Sequence, residues 1–278
     1  MQRLKQAYRN EVRNMAKKYT KDETIALKKK CFKNLNSLLE SMIAKPKPVE
    51  ETDTDYIKKA ALISKWIDQY TNYISFEDKF TPKKLIRYKR GDIVFVNFGF
   101  NIGAEFGGEH YAVVIDKESD RNSSTITVVP LSSYVTGKKI HPNDLYLGNE
   151  LFNKLQLKQK TIVSQLRQQC DKNKVLLELI KTNYSSNPDD EKIETLLDEL
   201  EKKQKQLEFE IGNAEKIKSE LLSLKQGSIA KIQQITTISK MRIYNPKQSS
   251  DPLYGIRFSN ETMTLINNKI KDFFIFDE

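Results

Sequence analysis

The sequence predicts an α+β fold: a small β unit divided by a long antiparallel helical hairpin, behind an all-α N-terminal region. Three observations predict it. Residues 86–148 carry short apolar runs separated by Gly-rich and polar turns, the pattern of strands. Residues 149–225 switch to a charged helical period with apolar residues at alternating steps of three and four. Residues 226–278 then resume a strand and close on a helix, while residues 1–80 read as helical. These four segments are the predicted domain divisions.

In the N-terminal region Leu4, Tyr8, Val12 and Met15 fall at helical spacing, predicting an amphipathic helix over 1–18. A second helix over about 21–44 places Ile25, Cys31, Phe32, Leu35, Leu38, Leu39 and Met42 largely on one side. It is predicted to end ahead of Lys45-Pro46-Lys47-Pro48, because proline disfavours a helical residue before it. After an acidic linker at 49–55, a third helix over about 54–75 offers Ile57, Ala61, Ile67 and Ile74 for burial, with Trp66 beside them.

The period changes at Ile93, Phe95 and Asn97, an alternating strand, followed by a loop from Gly99 to Gly108. Tyr111–Ile115 and Thr125–Leu131 are near-continuous apolar runs suited to buried strands, and Leu145–Leu147 is a shorter candidate. Then Leu151, Leu155, Ile162, Leu166, Leu176, Leu179 and Ile180 define one long helix, and Asn183–Asp190 a turn. Ile193, Leu197, Leu200, Leu207, Ile211, Ala214 and Leu221 define the return helix, with Gln204 and Lys218 in the two polar seam positions. About 35 residues of return helix project roughly 50 Å.

Composition narrows the function classes. Of 278 residues, 38% are hydrophobic and 30% charged, a balance that fits long solvated helices better than one large globule. No apolar run reaches membrane-spanning length, and Met1–Lys5 lacks the apolar stretch of a signal peptide, so a soluble cytoplasmic protein with no membrane partner is expected. Cys31 and Cys170 have no partner at metal-ligand or redox spacing, and His110 and His141 are the two imidazoles, so no metal or cofactor is expected. The net charge of +10 is concentrated. Residues 1–34 hold eleven Lys/Arg against three acids, a net +8, and residues 79–92 hold six against one, a net +5. The segment 151–225, with fourteen basic and thirteen acidic residues, is nearly balanced. Clustered positive charge at the N-terminus reads either as a phosphate-backbone contact or as a solvated basic helix.

Four motifs in chain order carry a resemblance. They are Arg90-Gly91-Asp92 ahead of a Val-rich strand, Gly103–Ile115 with its Gly107-Gly108-Glu109-His110 turn, Val128-Val129-Pro130-Leu131-Ser132, and Gln234-Ile235-Thr236-Thr237-Ile238-Ser239-Lys240. Together with the closing helix around Ser259–Phe273, the set resembles the PemK/MazF-type toxins of bacterial type II toxin–antitoxin systems. The resemblance implies an SH3-like barrel, a homodimer, a cognate antitoxin protein, and metal-independent cleavage of single-stranded RNA by its own 2′-hydroxyl. Such chemistry needs a base, an acid at the leaving 5′-oxygen, and donors on the phosphorane oxygens.

Carried over residue by residue, the resemblance implies catalytic roles for His110, Ser132, Lys231 and Gln234. His110 stands where the family has arginine in Gly-Gly-x-Arg-Pro. It either serves as acid or base near neutral pH or donates to a loop carbonyl in an inactive copy. Thr236 replaces a second arginine, and Lys231 stands where some relatives have one. Ser132 matches the active-site Ser/Thr, and Gln234 either orients the loop or reads a base. Arg90, Glu105, Gly107, Gly108, Tyr111 and Tyr134 are the implied RNA-contacting residues. Of these, Tyr111 and Tyr134, with Phe106, are candidates for base stacking, Glu105 alternatively ties down the loop, and Gly103, Gly107 and Gly108 mark it as flexible. Two other readings stay open: a catalytically silent binding module and a protein-targeting poison.

Changing Lys28, Lys29 and Lys30 to Glu is expected to weaken single-stranded RNA binding in a filter-binding titration. The logarithmic salt slope should flatten by roughly 0.7 for each phosphate that is no longer neutralised. An unchanged slope removes the N-terminal region from the RNA interface.

Overall fold

The computed structural model describes residues 18–46, 54–117, 120–184, 191–223 and 227–275. All but the last residue of the predicted first helix over 1–18, most of the linker at 49–55 and most of the turn at Asn183–Asp190 lie outside the described residues, as does the side chain of Lys218. The chain divides into two units, Met1–Ser75 and Phe76–Glu278.

In the first unit, helix α1 (Lys21–Ile43) starts at a capping box. The Thr20 hydroxyl accepts from the Glu23 amide at 3.2 Å, and the Glu23 carboxylate accepts from the Thr20 amide at 3.0 Å. Helix α2 (Tyr56–Phe76) follows, with Trp66 against Tyr70 and Tyr73. The faces differ from the predicted ones. No residue of α1 is buried, with Leu35, Leu39 and Met42 half-buried and Ile25, Cys31, Phe32 and Leu38 exposed. In α2 Ala60 is buried, whereas Ile57, Ala61 and Ile74 are exposed. Both helices carry apolar residues around more than one face, so period alone does not choose the face that packs.

The second unit is built on strands β1 (Ile93–Asn97), β2 (Glu109–Val114), β3 (Thr125–Ser133), β4 (Leu145–Tyr146), β5 (Ser228–Ala230), β6 (Thr236–Ser239) and β7 (Ile243–Asn245). Helices α3 (Glu150–Tyr184) and α4 (Glu191–Ser223) lie between β4 and β5, and α5 (Asn260–Phe274) closes the chain. The mixed class is as the sequence predicts. The sheet, however, is open: it runs β4-β5-β3-β2-β1-β7 with β6 also on β3, all antiparallel, in place of the expected closed SH3-like barrel.

Two features of this ladder shape it. From Leu131↔Ala230 to Val128↔Thr236, β3 advances three residues while the partner chain advances six. The surplus is taken up by a 3₁₀ turn at Ile232–Gln234, so β5 and β6 are two halves of one interrupted run. The second feature is the link from β6 to β7, which spans only Lys240–Arg242. Four strand spacings separate β6 from β7 through β3, β2 and β1, about 19 Å across a flat sheet. Four Cα steps reach at most about 14 Å. The sheet is therefore curled even though its ends do not pair.

Both faces of the central strands are covered. Ile93, Val113, Val129 and Leu131 pack with Ile256, Phe258, Met263 and Ile266 on one face. Val94, Val96, Ala112, Val114, Ile126 and Val128 pack with Tyr88, Ile238 and Ile243 on the other. Double burial accounts for the near-continuous apolar run of β2. The first turns of α3 belong to this core, with Leu151 and Leu155 joining the first cluster.

Farther out α3 and α4 pair antiparallel around Cys170, Leu177, Leu207 and Ala214. A polar rung sits in that seam: Asn173 donates to the Leu200 carbonyl and to Gln204, and Gln204 donates to Cys170 and Glu208. Gln204 thus fills its predicted seam position.

The base of α3 is fastened by Glu150, which accepts from the Ser259 amide at 2.7 Å, the Ser259 hydroxyl and the Thr262 hydroxyl at the start of α5. Burial pushes this carboxyl up, but hydrogen bonds from Lys154, Thr262 and Ser259, with the Lys154 charge, outweigh it and hold the pKa below the usual 4.5. A depressed carboxyl pKa stabilises the fold above the unfolded value and loses that contribution as pH falls through the folded one. Glu150→Gln is therefore expected to cost about 1 kcal/mol in urea unfolding at pH 7. That difference from the unaltered protein should shrink toward zero below pH 4.5. A pH-independent difference overturns the assignment.

Candidate functional site

The candidate site forms where the β2–β3 ladder ends. The last registered pair is Ala112↔Pro130, while on its other edge β3 pairs residues 131–133 with β5. Extended two residues, the same register sets His110 across from Ser132. Both line one cleft of about 220 Å³, with Glu109, Tyr111, Phe95 and Leu131 among its walls. The far wall is α3, through Leu151, Phe152 and Leu155.

His110 is half-buried under the Phe106 ring, with centroids 4.6 Å apart. Burial lowers the imidazole pKa from its ordinary 6.5, and a hydrogen bond to the Gly107 backbone opposes this in part. The group is therefore mainly neutral at pH 7. Tyr111 packs edge-tilted on Phe95 at 5.2 Å. Glu109 accepts from the Tyr244 hydroxyl at 3.4 Å, and Tyr244 in turn accepts from Asn97 at 3.0 Å.

A second cleft, about 300 Å³, opens beside the Gly99–Gly108 loop. Glu105, Phe106, Gln234, Thr236 and Arg242 line it. Phe106 lines this second cleft and touches His110, which lines the first. The loop is cross-bonded. The Gly108 amide donates to the Gly99 carbonyl at 2.7 Å, and Asn101 donates to the Phe98 and Phe106 carbonyls. Gly107 is required for this closure: a Cβ there would lie 2.8 Å from the Gly99 carbonyl oxygen. The Glu105 carboxylate accepts from the Ile102 amide, the loop-tying alternative that its sequence position suggests.

The remaining predicted residues lie elsewhere or are otherwise engaged. Lys231 makes a 2.6 Å ion pair with Asp144, half-buried. Arg90 donates to the Ile115 carbonyl and to Asn267 of α5. Tyr134 packs on Tyr146 at 5.0 Å, beside Gly227. Lys240, which closes the fourth motif, is 2% exposed and donates to the Asp120 carbonyl at 2.8 Å. Burial lowers its pKa against the raising influence of Asp120 and Asp116.

Sequence reasoning missed Glu109, Tyr244 and Arg242. Arg242 donates to the Asn97 carbonyl at 2.8 Å and supplies a cation beside Thr236, where the resemblance has lost one. Its position two residues beyond Lys240 was the available signal. Among the described residues no group of three or more His, Cys, Asp or Glu side chains is placed to hold a metal ion, and no helix is long and apolar enough to cross a membrane.

No curated protein matches the chain. Residues 89–201 match the family described as PemK-like, MazF-like toxin of type II toxin-antitoxin system. The matched span runs from the Arg90-Gly91-Asp92 turn through the Gly99–Gly108 loop, β1 to β4, all of α3 and the first turns of α4. The likeness to that family covers residues 89–201, and the cleft between His110 and Ser132 lies within this matched span.

Proposed function

We propose that this chain is the toxin of a type II toxin–antitoxin pair and an endoribonuclease. In this reading it is a cytoplasmic homodimer held in check by a cognate antitoxin protein. It cleaves single-stranded RNA without a metal ion. The observation that supports it best is the convergence of His110 and Ser132, from separate strands, on one cleft of the matched span.

In the reaction the neutral imidazole of His110 accepts the 2′-hydroxyl proton as the 2′-oxygen bonds to phosphorus. The bond from phosphorus to the 5′-oxygen breaks, water reaching the cleft protonates the departing oxygen, and the imidazolium gives its proton to the hydroxide left behind. The products are a 2′,3′-cyclic phosphate and a 5′-hydroxyl end. Ser132 donates to a phosphorane oxygen, and Tyr111 offers a face to an unpaired base.

One observation favours a second reading, a catalytically silent RNA- or protein-binding module. Among the described residues no Lys or Arg lines the His110–Ser132 cleft, and Lys231 and Arg90 are engaged elsewhere.

Incubation of a labelled single-stranded RNA with the protein in EDTA separates the two. Cleavage to 5′-hydroxyl ends is expected, and His110→Ala should lower the single-turnover rate about 10²-fold or more. Because burial lowers the His110 pKa, the acid limb of the rate profile should have its midpoint below pH 6.5, with activity lost as the imidazole gains its proton. Intact RNA at high excess of folded protein favours the silent module.

A further inference from the structure

The Gly99–Gly108 loop is held to the 3₁₀ turn at Ile232–Gln234 by one side chain. Gln234 uses both ends of its carboxamide on it: the oxygen accepts from the Phe106 amide at 3.2 Å, and the nitrogen donates to the Ala104 carbonyl at 3.4 Å. The loop's other side-chain hydrogen bonds among the described residues, from Asn101, to Glu105 and to Asn97 at its root, are local. Between the two anchored backbone groups and β2 stands the Phe106 ring. It meets Phe98 edge-on at 5.4 Å and His110 at 4.6 Å. The turn that carries Gln234 is the same three-residue surplus that interrupts the β5–β6 run.

We propose that Gln234 is a positioning residue acting through Phe106, its carboxamide setting the height at which the aromatic ring covers the His110 imidazole. The catalytic consequence rests on the endoribonuclease reading; the positional coupling does not. A carboxamide suits the task because a donor and an acceptor on one rigid plane address the carbonyl of Ala104 and the amide of Phe106 together. Loss of either bond frees the loop to lift, and the ring lifts with it. The charged and titratable groups on the elements around His110 are Glu109 and Tyr111 on β2, Glu105 on the loop, and Arg242 and Tyr244 on the segment leading through β7. Gln234 is itself uncharged, so its replacement by a neutral side chain changes cover without changing this set.

The chain has two histidines, His110 and His141, so an NMR titration of the imidazoles resolves both. His141 is exposed and distant in sequence, and serves as the internal reference. In Gln234→Met, which keeps side-chain bulk and removes both hydrogen bonds, hydrogen-exchange protection of the Phe106 amide should fall. The His110 midpoint should rise by about half a pH unit or more as water reaches the ring, with His141 unmoved. Phe106→Leu should raise the His110 midpoint with Gln234 intact. Where RNA is cleaved, the acid limb of the rate should move upward with the NMR midpoint. Retained Phe106 protection, or an unshifted His110 once protection is gone, overturns the proposal. Absence of RNA cleavage with the shifts intact overturns the endoribonuclease reading and leaves the coupling standing.

Discussion

The carboxylate of Asp92 holds the second unit together at the point where three segments meet. One oxygen accepts from the Lys89 amide at 2.7 Å, and the other receives the Arg257 guanidinium at 2.7–2.8 Å. The turn it closes gives the Gly91 amide to the Val114 carbonyl and takes the Phe258 amide on the Gly91 carbonyl. Thus the start of β1, the end of β2 and the segment leading into α5 are fixed together. Gly91 adopts φ +85°, and a Cβ there would lie 3.0 Å from the Arg257 side chain, so the turn needs glycine on both counts. The Arg90-Gly91-Asp92 motif is in this sense a structural clasp. Arg90 adds to it by reaching Ile115 and Asn267.

Downstream of that clasp, the site follows from mismatch between strands. β3 pairs with β2 on one edge only as far as Pro130, while its other edge continues along β5 from Leu131 to Ser133. Past the end of the β2 ladder, His110 and Ser132 face a common space. The surplus residues of the opposing run then buckle into the turn that bears Gln234. The loop anchor thus follows from a six-against-three count on one edge of β3, and the cleft from the end of the β2 ladder on the other. The base of α3 completes the wall, held there by Glu150 and by Lys154 and Lys158 donating to the Arg257 and Tyr254 carbonyls.

Much of the fold was legible because it repeats locally. Tyr111–Ile115 and Thr125–Leu131 announce buried strands by composition, and the seam from Ile193 to Ala214 announces a helix by period, Gln204 included. β5 and β7, at three residues each, are too short to show a period. Leu151 and Leu155 show an apolar face but not its partner, so they read as hairpin seam when they belong to the sheet core. In the site, the resemblance brought His110 and Ser132 forward together. The pairing of Lys231 with Asp144 and of Arg90 with Asn267 left no local trace, since these partners stand 87 and 177 residues apart.

His110, at the position where the resemblance would place an arginine, is best understood with Phe106. A guanidinium has five donors and a permanent charge, and an aromatic lid would strip water from them. A neutral imidazole keeps one donor, and the Gly107 backbone meets it. Cover that would be costly for arginine is tolerated by histidine, whose pKa simply falls. A lid of this kind also changes what the residue offers, from fixed positive charge to a proton acceptor. The cleft's lack of lysine and arginine among the described residues then has a consistent physical sense: a nearby cation would lower the imidazole's basicity still further. The cation beside Thr236 is instead in the second cleft, where Arg242 is held against the Asn97 carbonyl.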